Sequence, residues 1–414
     1  MNRAVIFSVA ALAFLLVQAK PAGAAPPNHP AAKPSLAQQP AATDPDKTLA
    51  AMQDELDRSR QRLELKIPGT GEPARPYYIQ YRILDLNVRT IVAEFGALIS
   101  STSGRNRIMS VDVRVGDYNL DSSNFITDEG FSGFLGSTGT VGIDRDYDSL
   151  RQDLWLASDQ AFKAAVENLS KKQAFVSRLA KAPSIPDYSP ASPTVAVEPL
   201  REPDWTSRNW EQEAKSVSAA LRVFPQLHSS RVAYHLIYTT SYLLNSEGTK
   251  IRANHSLAAV EASLETESDD GMPLHNFFAV YRSRPDQLPA ADAVRKDLEL
   301  AGEQLITLRV SPPAPNYDGP VFFEPPAAGS LLAQMLGTSM SGARGPLATQ
   351  SGFEQLMERL GGRSEWTGKL GTRVLPANVS IVDDPTAKQF GGQDLLGTYA
   401  VDEEGVKAER VQVI

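Results

Sequence analysis

A chain of 414 residues with 42% apolar and 22% charged side chains can bury the cores of two domains once non-globular ends are set aside. Its formal net charge of −8 argues against a general nucleic-acid binder. Its lack of cysteine excludes disulfides and thiol chemistry.

Met1-Asn-Arg3, the apolar run Ala4 to Val17 and the small-residue sequence Ala22-Gly-Ala24 form the three parts of a secretory signal peptide over residues 1–24. The apolar run is about 14 residues, shorter than the roughly 20 a spanning helix needs, so no permanent membrane span is expected. A periplasmic or secreted location is. Residues 25–44, rich in Pro, Ala and Gln, cannot bury enough surface to offset their ordering entropy and read as a disordered tether.

From Asp46 to Leu65, Leu49, Met52, Leu56 and Leu63 recur at helical spacing, and Pro68-Gly69 ends the helix. Three strand-like runs follow, Tyr77 to Asp85, Thr90 to Ser101 and Arg107 to Tyr118, with a hairpin turn expected at Ser103-Gly104. Gly130 to Gly142 reads as a Gly/Ser/Thr loop without the Gly-Lys-Ser/Thr of a phosphate cradle. Asp144, Asp146 and Asp148 mimic calcium-loop spacing, but Ser149 and Trp155 stand where such a loop needs Gly and Glu, so helix-start carboxylates are the better reading.

A long helix is predicted from about Tyr147 to Leu179, a proline-rich linker over Pro183 to Pro203, and a helix from Trp205 to Val223. Strands are predicted at Arg231 to Thr239, Ser241 to Leu244, Leu257 to Leu264 and Met272 to Tyr281, with Asn245-Ser-Glu-Gly248 as a hairpin turn. A helix over Ala290 to Leu308 precedes Ser311-Pro-Pro-Ala-Pro315, which separates an α+β region, 45–310, from a C-terminal domain, 316–414. The fold class expected is α+β, an antiparallel sheet with long packed helices followed by a mostly-β lobe.

The histidines have no tight metal spacing, and His235, in a strand-like run, reads as a hydrogen-bonded structural residue. Gly337-Thr-Ser-Met-Ser341 approaches a nucleophile elbow, but no histidine follows it. Asp383, Asp384, Asp402 and Glu404 are weak candidates for substrate contacts, since neighbouring acids on turns point apart into water.

In the C-terminal domain, Leu331, Leu332, Met335 and Leu336 after Glu324-Pro-Pro predict a short amphipathic helix with a buried apolar side. Gly368-Lys-Leu-Gly-Thr-Arg-Val374, Val379 to Thr386 and Asp402-Glu-Glu-Gly-Val406 follow, and Val411 to Ile414 reads as a strand with no following partner.

This ordered set resembles the TldD/PmbA family of bacterial metallopeptidases, and Val113 to Tyr118 with Asp121 and Asn124-Phe125 resembles the N-terminal domain of its exported members. In active members the helix carries His-Glu-x-x-x-His, so the resemblance implies zinc as their cofactor. Here Ala333 and Thr338 occupy the two histidine positions and Gln334 the glutamate position. A methyl group, a hydroxyl and a carboxamide supply neither a zinc site nor a general base. No catalytic residue, metal ligand or cofactor is therefore expected.

The family's thiolate ligand lies beyond the hairpin where this chain stops, so a truncated C-terminal domain, or one completed by another chain, is expected. The resemblance implies an oligomeric, catalytically degenerate subunit acting with a homologous active one on unfolded peptides, without nucleic acid. Two alternatives are an active metallopeptidase with an unrecognised site and a peptide-binding or scaffolding module.

Overall fold

The computed structural model describes residues 46–66, 73–126, 137–144, 146–180, 185–337, 340, 346–349, 366, 369 and 371–412. The expected signal peptide, tether and Pro68-Gly69 stop lie outside them. In chain order the elements are α1 (Lys47–Arg62), β1 (Leu65–Lys66), β2 (Pro73–Ala74), β3 (Pro76–Glu94), β4 (Ala97–Val115), β5 (Phe125–Ile126), β6 (Ser137–Val141) and α2 (Tyr147–Val176). They continue with β7 (Val195–Val197), α3 (Trp210–Ala219) and a 3-10 turn (Ala220–Val223), then β8 (Ser229–Asn245), β9 (Lys250–Glu267), β10 (Pro273–Arg282) and α4 (Ala291–Arg309). The C-terminal lobe holds α5 (Pro325–Leu336) and the two-residue strands β11 (Leu347–Ala348), β12 (Val382–Asp383), β13 (Gln389–Phe390), β14 (Gln393–Asp394) and β15 (Val411–Gln412).

One seven-stranded sheet in the order β10-β9-β8-β3-β4-β6, with β7 beside β9, organises the N-terminal region. Side chains alternate between the faces of a strand, so residues of one parity share a face. Ile79, Tyr81 and Ile83 of β3 and Tyr242 and Leu244 of β8 join one buried cluster, together with Leu150, Leu154 and Phe162 of α2. Ile91 and Ala93 of β3 and Val232, Tyr234 and Leu236 of β8 join a second, with Trp210 of α3 and Val294 and Leu298 of α4. The parities match and the β3–β8 register runs without a shift, so both helix pairs sit on the same face, at opposite ends of it.

Between the two clusters that face turns polar. Arg107 grips both carboxylate oxygens of Asp85 at 2.6 Å, and Arg105 donates to Asn87 at 2.9 Å. The segment after β7 crosses this saddle, with Glu198 N–H on Arg252 O (2.9 Å) and Pro199 O accepting from Asn254 (2.9 Å). The expected proline-rich linker is thus a strap over the polar middle of the sheet, and residues 195–197 within it pair with β9.

The expected turn at Ser103-Gly104 is corrected. Tyr77 to Asp85 and Thr90 to Glu94 belong to one strand, β3, the chain reverses at Phe95 (φ 44) and Gly96 (φ 82), and Ala97 to Ser101 already belong to β4, which continues through Arg107 to Val115. Two consecutive positive-φ residues match the twist of a tight hairpin, and Gly104 sits mid-strand opposite Val88. The loop reading of residues 137–141 is also corrected, since they form β6 along β4; residues 130–136 of that stretch lie outside the described residues. Asp146 caps α2 through Ser149 N–H at 2.8 Å. The turn after Asn245 stands as read, its Oδ1 accepting from Glu247 N–H (3.1 Å) and Thr249 N–H (3.0 Å). No helix of the described residues is long and apolar enough to cross a membrane.

Candidate functional site

Pro at the first turn pre-sets helical φ and removes a donor that would have no partner there, so α5 begins directly after Glu324. Its apolar side is not buried: Leu332 is 54% and Met335 59% exposed, and among the described residues no other element packs extensively against it. Ala333 and Gln334 lie on exposed turns of this helix. Thr338 is outside the described residues. A methyl group and a neutral carboxamide do not fit a divalent metal, and among the described residues no three His, Asp or Glu side chains converge on a point that could hold one.

The carboxylate candidates are brought together in one small unit. β12 pairs with β15, Tyr399 N–H donates to Pro385 O (3.0 Å), and Arg410 lies 3.8 Å from Asp384. The strand at Val411, expected without a partner, has one in Val382-Asp383. Asp384 accepts from Thr386 N–H (3.1 Å) and its hydroxyl (2.6 Å), and these bonds hold its carboxyl below the usual range. Asp402 accepts from Glu404 N–H (3.0 Å) and Val406 N–H (2.8 Å), closing the turn. Both side chains are spent on local backbone geometry. Asp383 is half-buried within β12, and Glu404 points into solvent.

Glu403, between Asp402 and Glu404 in the same run of acids, turns toward the sheet. Its carbonyl accepts from Arg82 on the sheet face opposite the helices. Burial raises its carboxyl pKa, with Arg82 opposing, and its Oε2 is buried without a hydrogen-bond partner among the described residues. Beside it, Gly405 (φ +86) is pressed so close to the sheet that a Cβ would lie 2.7 Å from Thr249 Cγ2 and 3.3 Å from Leu243 Cδ2. The hairpin therefore docks the C-terminal lobe on β8 and β9, and β11 attaches the lobe a second time by pairing with β5. Its glycine was the available signal, since only a left-handed turn in close contact requires it.

The segment after β4 forms a second dense site. Lys172, fully buried on α2, donates to Asp121 O (3.0 Å), Ser123 O (2.6 Å) and Asp187 Oδ2 (2.5 Å). Asp121 accepts from the Tyr77 hydroxyl (2.6 Å) and lies 3.9 Å from Arg114, whose guanidinium stacks 4.1 Å from the Tyr188 ring centroid. Burial and the Asp121 carboxylate push the Tyr77 hydroxyl well above its ordinary pKa, so it stays a proton donor. Every group here faces a partner within the chain, which makes the cluster a staple joining sheet, α2 and the proline-rich strap.

His235 sits where expected, on β8, with Nδ1 3.4 Å from Thr90 Oγ1 and Nε2 3.7 Å from Glu261, which accepts from Tyr281 (2.8 Å). Burial lowers its pKa despite Glu261. These separations place Thr, His and Glu in a row across three strands, but His235 to Glu261 exceeds hydrogen-bond reach.

Residues 316–414 match the family profile described as the PmbA/TldA metallopeptidase C-terminal domain. A protein described as a metalloprotease, from Methanothermobacter thermautotrophicus, is 25% identical over 190 residues, 45% of this chain and 36% of that protein, so the match spans about a third of the relative's length. Among solved structures, TldE from Thermococcus kodakarensis is similar with a TM-score of 0.53 and 14% identity, over 87% of this chain and 67% of that one. A proposed modulator of DNA gyrase from Bacteroides thetaiotaomicron reaches 0.51 at 13% identity, over 90% and 70% of the two chains.

Proposed function

The chain belongs to the TldD/PmbA family, and on that premise we propose that it is an exported, metal-free member that acts beside a homologous, metal-bearing subunit on unfolded peptides. The observation that supports this reading is the donor set of α5, where Ala333 and Gln334 occupy the first two positions that the family's chemistry uses. Gln334 can donate and accept hydrogen bonds but cannot take a proton near neutral pH. The chain would then contribute binding surface and leave hydrolysis to its partner. The test is peptide cleavage by the isolated chain and by the chain mixed with a homologue carrying His-Glu-x-x-x-His. No turnover alone and chelator-sensitive turnover in the mixture are expected. Chelator-sensitive turnover by the isolated chain would instead establish an active site of its own.

A peptide-binding reading has one observation in its favour. β10 is the outer strand of the sheet, and its exposed Phe277 and Tyr281 flank Ala279. Phe277 N–H and Tyr281 O turn away from β9, to the side chains of Asn276 (2.9 Å) and Arg282 (2.8 Å), so Ala279, of the same parity, presents its backbone groups outward. An extended peptide added at this edge would bind without being cut. Fluorescence anisotropy with an unfolded peptide tests it: binding lost on Ala279→Pro supports the reading, and binding insensitive to that change removes it.

A further inference from the structure

A cleft of about 560 Å³ opens between the tip of the β3–β4 hairpin, α3 and α4, far in sequence from the C-terminal lobe. Lys215 and Ser216 line it from α3, Arg222 from the 3-10 turn, Arg295 and Glu299 from successive turns of α4, and Gly96 from the hairpin tip. Three cations and one carboxylate leave these walls with a net charge of +2, on a chain whose net charge is −8. Arg295 also pairs with Asp292, so with Glu299 counted one net positive charge remains, carried by Lys215 and Arg222, neither of which has a carboxylate within ion-pair distance among the described residues.

Arg222 is held in place by the backbone. Its Nε donates to Phe95 O at 2.6 Å, and its terminal nitrogens lie over Gly96, where a Cβ would come within 2.6 Å of Nη2. The positive-φ glycine at the hairpin tip thus makes room for a guanidinium fixed by one nitrogen with its others open to the cleft. Lys215 lines the same cleft two turns earlier, on α3, and Ser216 adds a hydroxyl donor. Two cations that outnumber the remaining carboxylate, Glu299, leave a net positive site, and a bound oxyanion neutralises it while accepting charge-assisted hydrogen bonds.

We propose that this cleft binds a compact oxyanion ligand, with Arg222 as the fixed anchor, Lys215 as the mobile clamp and Glu299 limiting how much negative charge the rim accepts. The two sources of such a group are phosphate and carboxylate. Isothermal titration of the full chain with inorganic phosphate and with succinate, against sodium chloride at equal ionic strength, tells them apart. One-site saturable binding by phosphate, succinate or both is expected, the tighter of the two identifying the source, with no saturation by chloride. Lys215→Gln should weaken it about 10- to 100-fold, the loss of one charge-assisted bond. Glu299→Gln should bind roughly two- to five-fold tighter, a gain that a misfolded variant could not produce. Failure of both anions to saturate, or affinity unchanged in both variants, would overturn the proposal.

Discussion

Lys172 has no exposed side-chain area, and its three protons meet three acceptors. Such a group is stable only while every partner stays, because removing one side leaves a buried charge or buried acceptors uncompensated. Lys172→Met should therefore cost about 3–5 kcal/mol in urea unfolding, the range for breaking a buried pair. A loss under about 1 kcal/mol would show that the site relaxes or admits water. His235 gives a pH signature. Its folded pKa lies below the ordinary 6.5, so the unfolded chain binds the proton more tightly, and stability should fall as pH drops below about 6.5. His235→Gln should flatten that slope, and an unchanged slope would assign it to other groups. The staple's residues stood in a motif noted from sequence. What joins them, Lys172 and Asp187 reaching across 51 and 66 residues to Asp121, is long-range and leaves no local pattern.

Elements with a repeating pattern were legible, and those fixed by pairing were not. α1, α2 and α4 follow their apolar spacing to within a few residues, because an amphipathic helix carries its own period. The turn after Asn245 was legible for a similar reason, since Asn and Gly supply local bonds and a positive φ. The β3–β4 turn was not. Pairing of β3 with β8 over Gln80 to Glu94 sets where the strand can end, and it carries β3 past the Ser-Gly signal to Phe95-Gly96. This difference predicts opposite outcomes for two glycines. Gly96→Ala should destabilise by more than about 1 kcal/mol, from strain at positive φ and contact with Arg222. Gly104→Ala, with open space around its Cβ, should stabilise by about 0.5–1 kcal/mol. Equal effects in thermal unfolding would contradict the placement of the turn. In the C-terminal lobe α5 was legible from its apolar spacing, and the rest was read through motif resemblance, because strands of two residues carry no period. The apolar side of α5, expected to be buried, is exposed because a helical period marks a face for burial without supplying what covers it.

At the scale of the whole molecule, a hairpin of the C-terminal lobe is pressed on a sheet whose other face bears the four helices found among the described residues of the N-terminal region. Gly405 and the Arg82 bond to Glu403 hold it there. Gly405→Val should loosen this docking and raise the rate of limited proteolysis after residue 310. Gly371→Val, at φ +78 but with nothing within 4 Å of its Cβ, carries the strain without the clash and should change that rate far less. The proposal of export adds a chemical prediction: mass spectrometry of the protein made in its host should find a mature chain beginning at Ala25, and a retained Met1 would remove that part of the account.

The proposal to test first is that α5, with Ala333 and Gln334 at the positions that the family's chemistry uses, holds no metal. The measurement that tests it is the zinc content of the purified full chain after equilibration with one equivalent of zinc and gel filtration. Far less than one zinc per chain is expected, unchanged by substitution of His228, His235 or His255. Near-stoichiometric zinc that is lost when one of those histidines is replaced would contradict it.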